Sequence, residues 1–148
     1  MRATTKVVRW GRRGEMVSGD GRVVIAIDGP AGAGKCTVGR ALARRLDVGY
    51  LDTGAMYRGM TFAALRRGVV EGDLDEVAAM APMVDLVVED GTVTVDGVDA
   101  TTAIRGREVT EAVSQIAANP AVRKVLVERQ RSWVDHHGGG VVERSLIH

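Results

Sequence analysis

Residues 23–37, Val-Val-Ile-Ala-Ile-Asp-Gly-Pro-Ala-Gly-Ala-Gly-Lys-Cys-Thr, constrain the fold more than any other stretch of the chain. Val23–Ile27 is an apolar, mostly β-branched run, too short for a helix and too continuous for a half-exposed strand. It predicts a buried strand of a parallel sheet that ends at Asp28. Gly29, Gly32 and Gly34 let the backbone bend closely around a ligand with successive N–H groups turned inward, and Lys35 adds a positive charge. From Thr37 to Leu46, apolar Val38, Ala41, Leu42 and Leu46 recur at helical spacing, so a helix N-terminus is predicted to face the same anion. Strand, phosphate loop and helix in this order indicate an α/β architecture, a parallel sheet flanked by helices.

The pattern is G-x-x-x-x-G-K-[ST] with Cys36 in the hydroxyl position and Thr37 as the nearest hydroxyl. A glycine-rich structural turn has the same composition, and it is the flanking strand and helix that favour phosphate binding. Cys36 reads as a small packed residue rather than a redox group. As the only cysteine it excludes an internal disulfide framework and a multi-cysteine zinc site.

The 148 residues suit one domain with a hydrophobic core. Twenty basic against 19 acidic residues, with 3% aromatics, argue against a dedicated nucleic-acid binder. No apolar run approaches the roughly 18 residues that span a bilayer, and a cytoplasmic location is expected. Residues 1–22 scatter Arg2, Lys6, Arg9, Arg12 and Arg13 among Gly, Thr and Ser. They read as a disordered leader, with Met16 an alternative start and a basic arm on nucleic acid the other reading.

Beyond the first helix, Gly49 is expected to stop it, Tyr50-Leu51 to form a short strand, and Asp52 or Thr53 to cap a helix from Ala55 to about Arg67. Arg58, beside a hydroxyl and an acid, can hold a second anion; taken alone it would be a solvated charge. Leu74–Met83 predicts a helix cut by Pro82. Val84–Glu89 and Thr92–Val95 flank Asp90-Gly91, and Asp96-Gly97 offers a second turn before Val98, so an antiparallel hairpin is inserted into the βα chain. Glu108–Ala118 is helical, with Val109, Ala112, Val113, Ile116 and Ala117 apolar. A further helix begins at Asn119-Pro120, carries Val122, Leu126 and Trp133 as its stripe, and has Arg123 in its first turn. His136 and His137 read as helix-end residues rather than metal ligands. Gly138–Gly140 ends that helix before Val141-Val142-Glu143, a core strand closing on an acid.

Three groups of residues together resemble bacterial cytidylate kinases: Ile27–Lys35; Tyr50-Leu51-Asp52-Thr53-Gly54-Ala55-Met56-Tyr57-Arg58; and Ala112–Ala118 with Pro120, Val122, Arg123 and Leu126–Arg131. The resemblance covers about residues 23–143. It implies the P-loop nucleoside-monophosphate kinase fold, with a hairpin and helical nucleotide-binding insert at about 84–123. It also implies ATP-dependent phosphorylation of CMP and dCMP to CDP and dCDP, with ATP and Mg²⁺ as cofactors. The expected partners are these small nucleotides, with no nucleic acid, no membrane, and a monomeric state. By the same resemblance Gly29, Pro30, Ala31, Gly32, Ala33, Gly34, Lys35, Cys36 and Thr37 surround the ATP phosphates. Lys35 is then the catalytic residue on the transferring group, and Thr37 lies near Mg²⁺. Thr53, Arg58, Ser114 and Arg123 match positions that bind the pyrimidine nucleotide, the arginines at its phosphate and Ser114 at its base; Asp52 and Arg105 lie in matching stretches.

After the strand matching Val141-Val142-Glu143 the family continues Gly-Arg-Asp and then an arginine-bearing lid, whereas this sequence reads Arg144-Ser145-Leu146-Ile147-His148. Residues 144–148 are therefore expected to be a non-family tail on a fold incomplete at its C-terminus. A truncated, non-catalytic P-loop nucleotide-binding fragment is the alternative reading. A GTPase-like switch would want an Asn-Lys-x-Asp segment, which the sequence lacks.

Overall fold

The apolar run at 23–27 becomes the middle strand of a five-stranded sheet. The computed structural model describes residues 4–10, 16–20, 23–29, 35–69, 74–89 and 91–145. In chain order the elements are β1 (Thr4–Trp10), β2 (Met16–Asp20), β3 (Val23–Gly29), α1 (Lys35–Leu46), β4 (Tyr50–Asp52), α2 (Thr53–Arg66) and α3 (Leu74–Met80). There follow β5 (Leu86–Glu89), β6 (Thr92–Val95), β7 (Val98–Asp99), α4 (Arg107–Ala118), α5 (Pro120–His137) and β8 (Gly139–Ser145). Short 3₁₀ turns occupy Ala81–Met83, where Pro82 ends the helical run, and Ala103–Arg105. The described residues divide into two units, one formed by those up to Thr53 together with 130–145, the other by Gly54–Arg129. The second unit thus begins well before the expected insert at 84–123 and takes in α2 and α3.

In the first unit the sheet order is β2-β1-β3-β8-β4. β8 runs parallel to both neighbours, with Ile25 opposite Val141, Ile27 opposite Glu143, and Asp52 opposite Glu143. Thr4–Trp10 and Met16–Asp20 differ from the expected disordered leader: they are strands, antiparallel to each other, with β1 parallel to β3. The physical reason is that the open edge of β3 supplies a row of backbone partners.

Helix α1 also differs from its expected packing. Val38 and Leu46, placed on the apolar stripe, are 51% and 44% exposed, and Ala41 is exposed as well. The buried face is instead Gly39 and Ala43, one turn apart, with Leu42 half-buried. Small residues win because the helix lies close on the sheet: a Cβ on Gly39 would fall 2.8 Å from Tyr50 Cε2 and 3.3 Å from Ile27 Cδ1. The helix stops earlier than Gly49. Asp47 takes a left-handed φ of 51°, Val48 N–H donates to the Ala43 carbonyl at 3.0 Å, and Asp47 N–H donates to Arg44 at 3.3 Å. Gly49 serves packing instead, since a Cβ there would lie 2.9 Å from Trp133 Cη2.

In the second unit Met56, Met60, Ala63 and Ala64 of α2 are buried at helical spacing, as are Val109, Val113 and Ile116 of α4. The sheet β5-β6-β7 is antiparallel throughout. Its second turn has positive φ at both Asp96 (49°) and Gly97 (80°), the conformation that an Asp-Gly pair favours. Asp96 also anchors its surroundings, accepting from the Asp85 backbone N–H at 2.9 Å and pairing with Arg67 at 3.1 Å. The backbone N–H of Asp85 first, and the Arg67 guanidinium with it, hold the Asp96 carboxyl below its ordinary range. Asn119 is buried between α4 and α5: its Oδ1 accepts from Ala121 N–H at 3.0 Å as a cap for α5, and its Nδ2 donates to the Leu74 carbonyl at 3.1 Å. Arg129 donates to the Ala81 and Pro82 carbonyls at 3.3 and 3.4 Å, a cation on the carbonyls that close the 74–83 helical segment.

Candidate active site

In parallel α/β sheets, ligands bind beyond the carboxyl ends of the strands. In the first unit, Gly29 of β3, Asp52 of β4 and Ser145 of β8 form that edge, with Gly29 opposite Ser145. The phosphate-loop residues Pro30, Ala31, Gly32, Ala33 and Gly34 lie outside the described residues. The frame on either side is present, because β3 ends at Gly29 and α1 starts at Lys35. Lys35 and Cys36 occupy the first turn of α1 by their backbone, and Thr37 in the same turn is exposed. A helix therefore begins directly after the glycine-rich motif, two residues before the predicted start at Thr37.

Glu143, on the strand between β3 and β4, is 6% exposed and takes a hydrogen bond from the Tyr50 hydroxyl to Oε2. The Arg40 guanidinium carbon lies 5.6 Å from the Tyr50 ring centroid, within cation–π range. The backbone carbonyl of Glu143 accepts from Thr53 Oγ1 at 2.7 Å, and Thr53 is 4% exposed. Thr53 thus spends its proton on β8 and retains acceptor lone pairs. Sequence reasoning did not select Tyr50, Arg40 or the side chain of Glu143 for the site. The one available signal was an acid at the end of an apolar strand.

In the second unit, Arg58 of α2 is half-buried and its Nη1 donates to the Ile104 carbonyl and to Thr110 Oγ1, each at 3.0 Å. Its position is set by α2, whose buried Met56 and Met60 fix the helix face. Arg105, next to Ile104, is exposed at the end of its 3₁₀ turn. Ser114 is half-buried on α4, one turn beyond Thr110 and on the same face. Arg123 is exposed in the first turn of α5, and its guanidinium makes no hydrogen bond or ion pair among the described residues. The structure therefore joins Arg58 to the 103–110 segment that carries Arg105 and leads into Ser114, while Arg123 stands apart from this hydrogen-bonded group. His137, stacked on Trp133 with ring centroids 4.2 Å apart, donates from Nδ1 to the Trp133 carbonyl at 2.8 Å. This is a helix-end arrangement.

Comparison with known proteins bears on the whole of this arrangement. Residues 25–145 match the family model described as cytidylate kinase. The chain is 49% identical over 121 residues to a cytidylate kinase of Desulfitobacterium hafniense, covering 80% of this chain and 51% of that protein. It is 47% identical over 110 residues to a cytidylate kinase of Solibacter usitatus, covering 74% of this chain and 47% of that protein. Over 129 residues it is 49% identical to a bifunctional pantoate ligase/cytidylate kinase of a Synechococcus strain, covering 82% of this chain and 24% of that protein. The chain thus spans about half the length of the two cytidylate kinases and about a quarter of the bifunctional protein. The family match runs from the core of β3 to the end of β8 and takes in both the phosphate-loop frame and the Arg58 cluster: this chain belongs to the cytidylate kinase family.

Proposed function

We propose that the protein of which this sequence forms the whole or a part transfers the γ-phosphoryl group of ATP to CMP and dCMP. The carrying observation is the match over residues 25–145, supported at close quarters by β3 ending at Gly29 and α1 starting at Lys35 on either side of the glycine-rich motif. Phosphoryl transfer asks the protein chiefly for positioning and charge neutralisation. In this reading the backbone N–H groups from Gly29 to Thr37 cradle the ATP phosphates, and Lys35 holds its charge against the transferring group. Thr37 and Glu143 are hard oxygen donors, the type that Mg²⁺ prefers, and Thr37 is exposed at the head of α1. Mg²⁺, when bound with the nucleotide, supplies charge neutralisation at the phosphates.

On the acceptor side Arg58 and Arg123 orient the CMP phosphate, and Ser114 reads the base. Asp52, Thr53 and Arg105 complete the set of nucleotide contacts. Thr53, having donated its proton to Glu143, contributes to the substrate as an acceptor. The remaining partners in this reading are small nucleotides alone, with the protein acting as a cytoplasmic monomer. Among the described residues no helix is long and apolar enough to cross a membrane.

The test is a coupled ADP-release assay with Mg·ATP and CMP, dCMP, UMP or AMP offered in turn. ADP release that depends on CMP and dCMP is the expected result. Release that ignores the monophosphate, or that prefers AMP, would refute the assignment.

A further inference from the structure

We propose that Thr110 is a positioning residue that fixes which edge of the Arg58 guanidinium meets a nucleotide phosphate; this rests on the reading of Arg58 as a phosphate ligand. A guanidinium carries five N–H donors in a rigid planar fork. At Arg58 both hydrogens of Nη1 go to protein acceptors, the Ile104 carbonyl and Thr110 Oγ1, each at 3.0 Å. The Nε and Nη2 hydrogens make no hydrogen bond among the described residues. Side by side, they form the edge that takes two phosphate oxygens at once.

Thr110 is suited to this task because its own hydroxyl is committed. Its proton is donated to the Gly106 carbonyl at 2.9 Å, one helical turn back, so Oγ1 faces Arg58 as an acceptor. Two acceptors on a single nitrogen define the plane of the guanidinium. With the Ile104 carbonyl alone, the group would pivot about one contact, and the Nε–Nη2 edge would lose its fixed direction. Both acceptors belong to the 103–110 segment, so the edge is held in register with Arg105 and with Ser114 one turn further along α4. Thr110 itself is exposed, so its replacement removes the hydrogen bond without opening the core.

The experiment is calorimetric titration of the 148-residue chain with CMP and with cytidine, which lacks the phosphate. It compares the unmodified protein with Thr110→Val and Thr110→Ser. Thr110→Val is expected to weaken CMP binding about threefold to tenfold and leave cytidine binding unchanged, and Thr110→Ser, which keeps the hydroxyl, to restore most of the affinity. In an Arg58→Lys background, Thr110→Val should add no further loss, because the fork it orients is gone. CMP affinity in Thr110→Val equal to that of the unmodified protein overturns the positioning role alone. Equal weakening of CMP and cytidine also overturns it, by marking Thr110 as a merely structural residue. Absence of CMP binding by the correctly folded, unmodified chain overturns the nucleotide reading, and this proposal with it.

Discussion

Replacing Gly140 with alanine is expected to destabilise the first unit severely. Gly140 lies in β8 with a φ of 151°, and a Cβ there would sit 2.7 Å from Trp133 Cζ3, 2.8 Å from Cη2 and 3.0 Å from the Gly49 carbonyl oxygen. The indole has little room to yield. One side stacks on His137, and the Gly49 backbone closes another, with an added Cβ at Gly49 only 2.9 Å from Cη2. The carbonyl is held too, since it accepts from Val141 N–H at 2.8 Å. Backbone strain of about 1–3 kcal/mol adds to an overpacking cost of about 1–3 kcal/mol, for a total of about 2–6 kcal/mol. At about 2–4 °C per kcal/mol for a chain of this size, the thermal midpoint should fall by roughly 5–20 °C, measurable by circular dichroism. Trp133→Leu in the same chain removes the ring contact and leaves the φ strain and the carbonyl contact. The double variant should therefore lose less stability than the sum of the single ones, by about 1–2 kcal/mol. An unchanged midpoint for Gly140→Ala, or strict additivity with Trp133→Leu, would refute this account of how β8 is seated.

Tyr50→Phe removes the donor to a buried Glu143 and should cost about 1–3 kcal/mol in urea unfolding; no loss would mean that the carboxylate finds another donor. The Asp96 carboxyl is held below its ordinary value of 3.8, so its contribution is fully present above that value and is lost as pH falls through the lowered one. The stability gap between the unmodified protein and Asp96→Asn, which keeps the left-handed turn residue, should accordingly close on acidification below that range, and a pH-independent gap would contradict this. Arg58→Ala is expected to weaken CMP binding about tenfold or more and ATP binding much less, with equal losses counting against its assignment to the acceptor phosphate.

The parts of the fold legible in the sequence are those set by local chemistry. The β-branched run of β3, the Asp96-Gly97 turn, the start of α5 at Pro120 and the break at Pro82 all follow from residues within a few positions of one another. The parts that were not legible depend on distant partners. Which face of α1 is buried was decided by how closely Tyr50 and Ile27 approach Gly39, so the bulky apolar stripe lost to small residues. Tyr50 and Glu143 lie 93 positions apart, and Arg58 and Thr110 lie 52 apart, so no window of sequence holds either pair. Thr110 looks like any polar residue early in a helix until Arg58 is seen against it. The resemblance implies nucleotide-binding roles for Arg58 and Ser114 one by one, and the structure adds the link between Arg58 and the segment leading to Ser114.

The insertion of β8 between β3 and β4 dictates an order of assembly on the ribosome. β3 and β4 both come from the first 52 residues, yet the strand that must lie between them begins only at Gly139. At about 5–20 residues per second, the slot between them stays open for on the order of ten seconds of translation. The strands and helices of the second unit lie between Gly54 and Arg129 or begin there, so they emerge during that wait. Until β8 arrives, the facing edges of β3 and β4 expose unpaired N–H and C=O groups flanked by Ile25, Ile27 and Leu51. The nascent chain is then open to mispairing with another strand.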